Sequence, residues 1–412
     1  MNKEHIKKTL TIAGYSINGL LALMTLLSAY GGMVNPDMTA LPAMIAMTFP
    51  LWLVLSVIAL LADLFVNRYM AVIPAVTIGL SLGPVLSYCP LNLSHSKLTP
   101  EEDARSFTLM SYNVYGLNDY LEPYSPKDST RLRAQADSGL PNPTLAHILA
   151  CDPDIACLQE FYLTFSDKFP VITRSLFDSV CKRYPHRISG CANGILSKYP
   201  LYPVELTQPE DPTAFYLGAI VEIQQHRTLI ISAHLQSIGL DPSDRALYKE
   251  ITKGEGGRKA ISHAKNRFLG KLSLAFRKRA RQAELLRRQI DSLGVENVII
   301  AGDFNDIPGC YALRQVAGED FKNAFTMAGF GPIVTYHANR FYFHIDHILY
   351  RGDMEAIGFT KDRFGRSDHY PVTARFLWSS GAAKIDRNLK GIDLINRTGN
   401  SPDSLKTTTI NN

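Results

Sequence analysis

The stretch NVIIAGDFND, Asn297 to Asp306, decides the fold. Its apolar, β-branched beginning is typical of a buried strand, and it ends in acids and an amide. Other short apolar runs are also bordered by polar residues: FTLMSYNVYG (Phe107 to Gly116), DIACLQE (Asp154 to Glu160), RTLIISAHLQS (Arg227 to Ser237), HIDHILY (His344 to Tyr350) and SDHYPV (Ser367 to Val372). Buried strands deliver such side chains to a shared edge, so the pattern predicts an α/β domain with a polar site there.

These motifs, in this order, resemble those of the endonuclease/exonuclease/phosphatase (deoxyribonuclease I-like) superfamily. The resemblance covers about Phe107 to Phe376, and ILSKYP at Ile195 to Pro200 resembles a further family segment. It implies a four-layer α/β/β/α sandwich of two packed mixed sheets, with the active site at one end. It also implies hydrolysis of a phosphodiester or phosphomonoester, which needs a cation, a group that orients water, and donors around the transition state.

The resemblance assigns a metal site to three of these residues. Glu160 of LQE is the expected principal carboxylate ligand, and Asn113 of YNV is expected beside it. Asp368 of SDH is expected to add a ligand or an outer carboxylate. Oxygen donors of this kind suit a hard divalent cation, so Mg²⁺ is the predicted cofactor and Mn²⁺ a plausible substitute.

The remaining catalytic positions follow from the same resemblance. Asp303 and Asn305 of GDFND are expected beside the attacking water, and their spacing puts them on one face if the segment stays extended. His369, with Asp346 as its carboxylate partner, and His234 are expected to face the phosphate. A protonated His369 would stabilise developing charge and a neutral one would act as a base, and the sequence leaves both open.

Other polar residues have competing interpretations. Asn193 and Gln236 either touch substrate or satisfy loop backbone, and Gln282 is expected to be structural. Strand alternation points His347 away from Asp346, which favours a structural role. The chain carries a net charge of +5, much of its positive charge lies in Arg258 to Arg288, and this segment is either a solvated helix face or a surface for phosphates or anionic lipid.

Three apolar segments precede the domain: Leu10 to Gly32, Leu41 to Phe65, and Tyr69 to Tyr88. Each is about as long as a membrane-spanning helix. The excess of lysine in MNKEHIKK puts the N-terminus in the cytoplasm, and three crossings then put the catalytic domain outside. The prediction is an integral, multi-pass membrane protein with an extracytoplasmic catalytic domain.

The sequence divides into four parts on composition. Residues 1–92 are the membrane region with about three transmembrane helices, 93–103 a linker, 104–378 the catalytic domain, and 379–412 a polar tail expected to be disordered. Two long polar inserts, Tyr120 to Pro143 and Gly239 to Gly270, are candidate lids or disordered loops. The six cysteines show no zinc-type spacing, and we expect buried free thiols, with a Cys181 to Cys191 disulfide as the alternative outside the cytoplasm.

The substrate is set by loops that the motifs do not describe. A lipid or small phosphoester is preferred, because a membrane-tethered domain outside the cytoplasm meets these more readily than chromosomal DNA. The alternatives are an extracytoplasmic nuclease and an inactive module that binds metal or phosphate. The expected partners are the phosphate-ester substrate and the lipid bilayer, nucleic acid is not favoured, and no protein partner is inferable.

Overall fold

The computed structural model describes residues 3–93, 97–117, 141–161, 173–239, 243–244, 258–338 and 342–379. The tail that we expected to be disordered lies outside these residues. Most of the Tyr120 to Pro143 insert and the middle of the Gly239 to Gly270 insert also lie outside them. The described residues form a helical N-terminal region followed by a sheet domain.

The first sheet has six strands: β1 (Ser106–Asn113), β2 (Ile155–Gln159), β3 (His186–Gly190), β4 (Asn193–Ser197), β11 (Met354–Lys361) and β12 (Val372–Trp378). Their order is β11-β12-β1-β2-β4-β3. The β1 and β2 strands are parallel and the other neighbours are antiparallel, so the sheet is mixed.

The second sheet also has six strands: β5 (Leu201–Val204), β6 (Phe215–Ile223), β7 (His226–His234), β8 (Asn297–Asp303), β9 (Lys322–Asn323) and β10 (Asp346–Arg351). Their order is β5-β6-β7-β8-β10-β9. Only the β7 and β8 pair is parallel among these neighbours, so this sheet is mixed too.

Two outer helical layers cover the sheets. The domain helices are α6 (Pro100–Ala104), α7 (Pro143–Cys151), α8 (Arg174–Arg183), α9 (Arg258–Leu293), α10 (Tyr311–Ala317) and α11 (Ala324–Ala328). Apolar residues of α7 and α8 pack on the first sheet, and those of α9 and α10 pack on the second. A third cluster, which includes Leu109, Ile195 and Ile230, fills the space between the sheets. The predicted four-layer α/β/β/α sandwich is confirmed.

The N-terminal region contains α1 (Lys3–Tyr30), α2 (Leu41–Ala46), α3 (Phe49–Val66), α4 (Val72–Leu80) and α5 (Leu82–Tyr88). Within the described residues, two helical segments are long and apolar enough to cross a membrane, Lys7–Met33 and Phe49–Val66. Few of their residues are buried, unlike those of a core helix in a soluble protein. This is fewer than the three or so transmembrane helices that we expected, because the third apolar segment is divided between α4 and α5.

Proline explains both interruptions in this region. The helix breaks at Ser81 (φ −93°, ψ 11°), three residues before Pro84, whose ring excludes a helical hydrogen bond to the Leu80 carbonyl. The second predicted span is likewise divided before Pro50, which lies in the first turn of α3, where a missing N–H costs nothing. The third segment thus consists of two short helices in sequence, α4 and α5.

The N-terminal region packs directly against the sheet domain. Ala40, Ala43 and Ala46 are buried in one cluster with Leu272 and Phe276 of α9. At the same junction Asp37 pairs with Arg281, and the Asn35 amide donates to Glu284 at 3.1 Å. A Cβ on Gly32 would lie 1.8 Å from the Gly309 carbonyl oxygen, so only glycine fits this contact. The two regions therefore share an apolar junction with polar contacts at its rim.

All six cysteines lie in the described residues, and all are free thiols. Cys157 and Cys310 are buried as expected, whereas Cys151 and Cys191 are exposed. The alternative of a Cys181 to Cys191 disulfide is not what the structure contains.

Candidate functional site

Strand pairing brings the polar motif residues to one edge of the sandwich. Asn113 ends β1, and Glu160 follows β2, its parallel neighbour. In the other sheet, His234 and Asp303 end the parallel strands β7 and β8 and lie opposite each other. Asp346 begins β10 and is also paired with Asp303. Because parallel strands end at the same edge, residues far apart in sequence meet here.

Close approach of β7 and β8 at this edge depends on Gly302. A Cβ at this position would lie 1.8 Å from the Ala233 carbonyl oxygen. Glycine immediately before Asp303 therefore allows the two strand ends to pair up to the site, which explains why the motif reads AGD.

Asn113 links the carboxylates of the two sheets. Its Nδ2 donates to Glu160 Oε1 at 3.2 Å and to Asp303 Oδ2 at 3.1 Å. Its Oδ1 accepts from the Tyr115 backbone N–H at 3.1 Å, which fixes the orientation of the amide. Glu160 itself has φ 52°, a left-handed conformation that turns its partly buried side chain at the end of β2. The predicted placement of Asn113 beside Glu160 is what the structure has.

Two imidazoles face Asp303. The Nε2 atoms of His369 and His234 lie 3.5 Å and 3.6 Å from Asp303 Oδ2. His369 Nδ1 lies 2.8 Å from Asp346 Oδ2, the predicted carboxylate partner. Burial alone would lower the pKa of His369, but the charges of Asp346 and Asp303 outweigh it and hold that pKa well above its ordinary value. The two carboxylates therefore favour the protonated form of His369.

Burial and neighbouring charges raise the pKa values of two carboxylates of the site. Burial raises the pKa of Asp303, the Asp346 charge adds to this, and His369 and His234 oppose it. Burial likewise raises the pKa of the partly buried Asp368 to about 6, with the charges of Glu160 and Asp303 adding to the shift and His369 opposing it. Clustered acids of this kind are stabilised by a bound cation.

The donor set fits a hard divalent cation. Asp303, Asp346 and His369 have ligand atoms within 4.8 Å of one another. Asp346 Oδ2 is already bonded to His369, so we regard this trio as a hydrogen-bonded chain and not as the ligand set. Among the described residues, Asp346 Oδ1 is buried without a hydrogen-bond partner. The oxygen atoms of Glu160, Asn113 and Asp368 remain the better candidates for ligands.

Asn305 does not follow the extended geometry considered for it. Strand β8 ends at Asp303, and Asn305 has φ 50°. Its backbone N–H donates to Asp303 Oδ1 at 2.8 Å, and its Nδ2 donates to the Leu235 carbonyl at 2.9 Å. The local turn competes with strand continuation because a short polar side chain tolerates the left-handed region. Asn305 thus orients Asp303 and keeps one amide hydrogen for another acceptor.

Asn193 and Gln236, the two polar residues considered as substrate contacts, both bond backbone groups, and Gln282 has the structural contact that we expected. Asn193 Nδ2 donates to the Phe215 and Ser232 carbonyls, linking the two sheets. Gln236 Nε2 donates to the Ser237 carbonyl, and Gln282 Oε1 accepts from the Gln236 N–H at 2.9 Å.

His347 makes its hydrogen bond outside the catalytic cluster, by which we mean Asn113, Glu160, His234, Asp303, Asn305, Asp346, Asp368 and His369. Its Nε2 lies 2.9 Å from the Asp306 carbonyl oxygen, and burial lowers its pKa to about 4. Its neutral ring holds the loop that follows β8, which agrees with the structural role that strand alternation favoured.

Ser367 has a positioning role that the sequence analysis passed over. Its Oγ donates to the Asn113 carbonyl at 2.7 Å and accepts from the His369 N–H at 3.2 Å. It therefore joins the strand that carries the amide to the loop that carries the imidazole. Its position two residues before His369, within a motif already singled out, was the available signal.

The basic side chains of α9 are largely engaged with acids. Lys278 pairs with Asp211, and Arg281 with Asp37. Arg279 is 1% exposed and pairs with the buried Asp306 at 3.3 Å. Ion pairs thus occupy these three side chains, Arg279 in the interior and Lys278 and Arg281 at the surface.

The sequence model of the Endonuclease/Exonuclease/phosphatase family matches residues 110–369, which include every residue of the cluster. The chain belongs to the endonuclease/exonuclease/phosphatase family. Members of this family are hydrolases of phosphate esters and generally depend on metal. A second model, a domain of unknown function (DUF8431), matches residues 7–88 of the N-terminal region. No curated protein matches the chain.

Solved structures of the endonuclease/exonuclease/phosphatase family are similar to this chain at low identity. A truncated TDP2 from Caenorhabditis elegans is 16% identical with a TM-score of 0.40, over 66% of this chain and 98% of that one. A family protein from Beutenbergia cavernae is 14% identical with a TM-score of 0.41, over 67% and 72%. Another from Bacteroides vulgatus is 15% identical with a TM-score of 0.39, over 66% and 99%.

Proposed function

We propose that this protein is a membrane-anchored, Mg²⁺-dependent hydrolase that cleaves a phosphate ester by attack of an oriented water. The observation that carries this proposal is the position of Asp303, a buried carboxylate within contact distance of Asn113, His234 and His369. An amide and two imidazoles around one carboxylate can transfer protons and stabilise the charge that develops on a phosphoryl group. A domain that only binds metal or phosphate has no need of the His369 and Asp346 pair.

Glu160, Asn113 and Asp368 would hold Mg²⁺, with Mn²⁺ as an acceptable substitute. When bound, the cation would neutralise part of the charge on the phosphate group. The raised pKa of Asp368 supports this assignment, because a cation beside that carboxyl offsets the repulsion from Glu160 and Asp303.

The other residues divide the proton transfers between them. Asp303 orients the attacking water and accepts its proton, with Asn305 holding the carboxylate in place through its N–H. Asp346 favours the protonated form of His369, and we assign that form to donation to a phosphoryl oxygen. His234 and the second amide hydrogen of Asn305 would contact the same phosphoryl group.

A lipid or small phosphoester substrate is favoured over nucleic acid. Tyr336 packs in the apolar junction with the N-terminal region, and its ring lies 5.0 Å from that of His369. Where the chain leaves α5, the exposed apolar residues Leu91 and Phe330 are paired by a β-bridge, and Leu93 is also exposed. We infer from this arrangement that the site would lie near the surface of a bilayer. The described α9 cations Lys278, Arg279 and Arg281 are paired with acids and are therefore less available to a polyanion.

The contacts between helices support three crossings with the catalytic domain outside the cytoplasm. Asn18 of α1 bonds Asp63 of α3 and the Met70 carbonyl, so the turn at residues 67–71 lies towards the N-terminal end of α1. At the other end, Tyr30 bonds the Leu80 carbonyl, and the domain contacts residues 31–48. The segment formed by α4 and α5 would then be the third, broken crossing, with the basic N-terminus on the cytoplasmic side.

The proposal is tested by hydrolysis with the full chain in detergent micelles. Substrates are bis-p-nitrophenyl phosphate, a phosphomonoester, single-stranded DNA and phospholipid vesicles, each with Mg²⁺ and with chelator. We expect Mg²⁺-dependent turnover, highest on the lipid or small ester. We also expect its loss in Glu160→Ala and its retention in Glu205→Ala, a control that truncates an exposed glutamate.

Three results would contradict the proposal. Turnover that survives chelator or Glu160→Ala would remove the metal assignment. Hydrolysis of DNA alone would support a nuclease. Absence of turnover with calorimetric Mg²⁺ binding would support an inactive binding module.

A further inference from the structure

A second cluster of ligand-type side chains lies away from the catalytic site. His147 and Cys151 are four residues apart on α7, so both side chains are on one face of that helix. Asp362 immediately follows β11, at the start of the turn that leads to the Ser367 to His369 segment. Helix and turn come together on the outer face of the first sheet, and this cluster contains nitrogen, sulfur and oxygen donors.

The three donor atoms converge on one point. His147 Nε2 lies 2.9 Å from Asp362 Oδ2 and 3.3 Å from Cys151 Sγ, and that sulfur lies 3.9 Å from the same carboxylate oxygen. A tetrahedral cation with ligands at about 2.0 to 2.3 Å holds its ligand atoms roughly 3.3 to 3.5 Å apart. The observed separations are within about half an ångström of that geometry.

A catalytic relay of the cysteine, histidine and acid type does not fit this cluster. Such a relay uses one ring nitrogen for the thiol and the other for the acid. Here the same atom, His147 Nε2, faces both Cys151 and Asp362. In addition, partial desolvation and the Asp362 charge raise the pKa of the otherwise exposed Cys151, which disfavours a thiolate nucleophile in the absence of a cation.

The surrounding structure holds the cluster in this geometry. The His147 ring is stacked on Phe364 with centroids 3.9 Å apart and an interplanar angle of 2°. Helix α7 is fixed by the Asn142 cap, whose Oδ1 accepts from two backbone N–H groups at 3.1 Å, and by buried Leu145 and Ile148. Fixed ligands lower the entropic cost of binding a cation.

We propose that His147, Cys151 and Asp362 form a second metal site, which takes a borderline-soft cation of the Zn²⁺ type with water as a fourth ligand. Mixed nitrogen, sulfur and oxygen donors select such a cation, whereas Mg²⁺ prefers oxygen alone. A cation here ties the turn at residues 362–366 to α7. The same turn continues into Ser367 and His369, so the site braces the loop that positions the catalytic imidazole.

The test uses Co²⁺ as a spectroscopic probe on the full chain in detergent, with excess Mg²⁺ to occupy the catalytic site. A thiolate bound to Co²⁺ gives an ultraviolet charge-transfer band, and none of the catalytic residues carries sulfur. We expect the band in the wild type, its disappearance in Cys151→Ser, and its persistence in Cys191→Ser, which alters the other exposed thiol.

Affinity measurements on the conservative variants complete the test. Loss of an outer-shell partner typically weakens metal binding about 10 to 100-fold, so His147→Gln and Asp362→Asn should weaken Co²⁺ binding at least that much. Competition by Zn²⁺ should remove the band. A wild type without the band, or a band that survives in Cys151→Ser, overturns the proposal. Neither result depends on phosphoester hydrolysis.

Discussion

The N-terminal helical region and the sheet domain have opposite patterns of burial. In α1 and α3, apolar side chains such as Leu20 and Ile58 are more than half exposed, whereas the hydroxyls of Thr25 and Ser56 are buried and bonded to each other at 2.8 Å. In the sheet domain, apolar residues fill three clusters between layers. Apolar surface is therefore exposed in the helical region and enclosed in the sheet domain, as the proposed membrane anchor requires.

Buried polar groups also make different contacts in the two regions. In the helical region they pair between neighbouring helices, as Asn18 does with Asp63. In the sheet domain they converge on Asp303 from both sheets, at a cost in desolvation that raises its pKa. The comparison predicts that substitutions around Asp303 lower turnover more than stability. Substitutions in the buried polar pairs between the N-terminal helices should lower stability more than turnover.

The largest expected effect is that of Asp303→Asn on turnover. The change removes the proposed proton acceptor, for which losses of about 10²- to 10⁴-fold in rate are typical. The asparagine has the same shape and no buried charge, so the melting temperature should stay constant or rise. Turnover and thermal unfolding of the full chain in detergent measure the two effects. A variant that unfolds without losing specific activity would break the comparison.

The pH dependence of stability gives an intermediate effect. The pKa of His347 is about 4 when folded, below its ordinary value, so the unfolded state binds a proton more readily. Its contribution is therefore complete above about pH 6.5 and is lost as the pH falls towards 4. Between pH 7.5 and 5.5 this histidine alone should lower the free energy of unfolding by about 1 kcal/mol.

The two tryptophans allow this effect to be assigned to one region. Trp378 is buried in the sheet domain and Trp52 lies in α3, so Trp52→Phe and Trp378→Phe backgrounds report on each region by fluorescence. The pH effect should appear with the Trp378 reporter and shrink in His347→Gln. It should be absent with the Trp52 reporter, because the helical region contains only the exposed His5. Equal pH effects on both reporters would mean that the regions unfold together.

Much of the sheet domain was predictable because its strands are marked by local apolar runs. Val298, Ile299 and Ile300 form a buried strand whose polar end reaches the site, as the pattern NVIIAGD indicates. The contact between Asp346 and His369, which lie 23 residues apart, was predicted from the family resemblance. These features follow from short-range patterning and from a shared fold.

Other features depend on contacts that no local pattern contains. The turn at Asn305 carries a hydrogen bond from its amide to the Leu235 carbonyl, 70 residues away. The second metal site pairs an ordinary His and Cys spacing with Asp362, which is 211 residues from Cys151. The break at Ser81 depends on Pro84, and proline in a membrane helix is compatible with both a kink and an end.

The smallest expected effect concerns the hydroxyl pair between α1 and α3. Replacing Thr25 by valine keeps the side-chain shape and removes the bond to Ser56. Interhelical hydrogen bonds in membranes average about 0.6 kcal/mol, with a maximum near 1.7, so Thr25→Val should destabilise the helical region by that order. Unfolding in mixed detergents, followed through Trp52 in a Trp378→Phe background, measures the loss. Turnover should not change, because the catalytic cluster has no contact with this pair.

Thr9→Val is the matched control for this last prediction. Thr9 lies on the same helix, is exposed, and bonds only the His5 carbonyl of its own α1 among the described residues. If the Thr25 hydroxyl stabilises the region because it is buried between helices, Thr25→Val will destabilise the helical region more than Thr9→Val does. Equal losses would mean that both hydroxyls act only through their own helix. In that case the buried polar pairs of this region would not hold its helices together, and the contrast with the catalytic cluster would rest on apolar exposure alone.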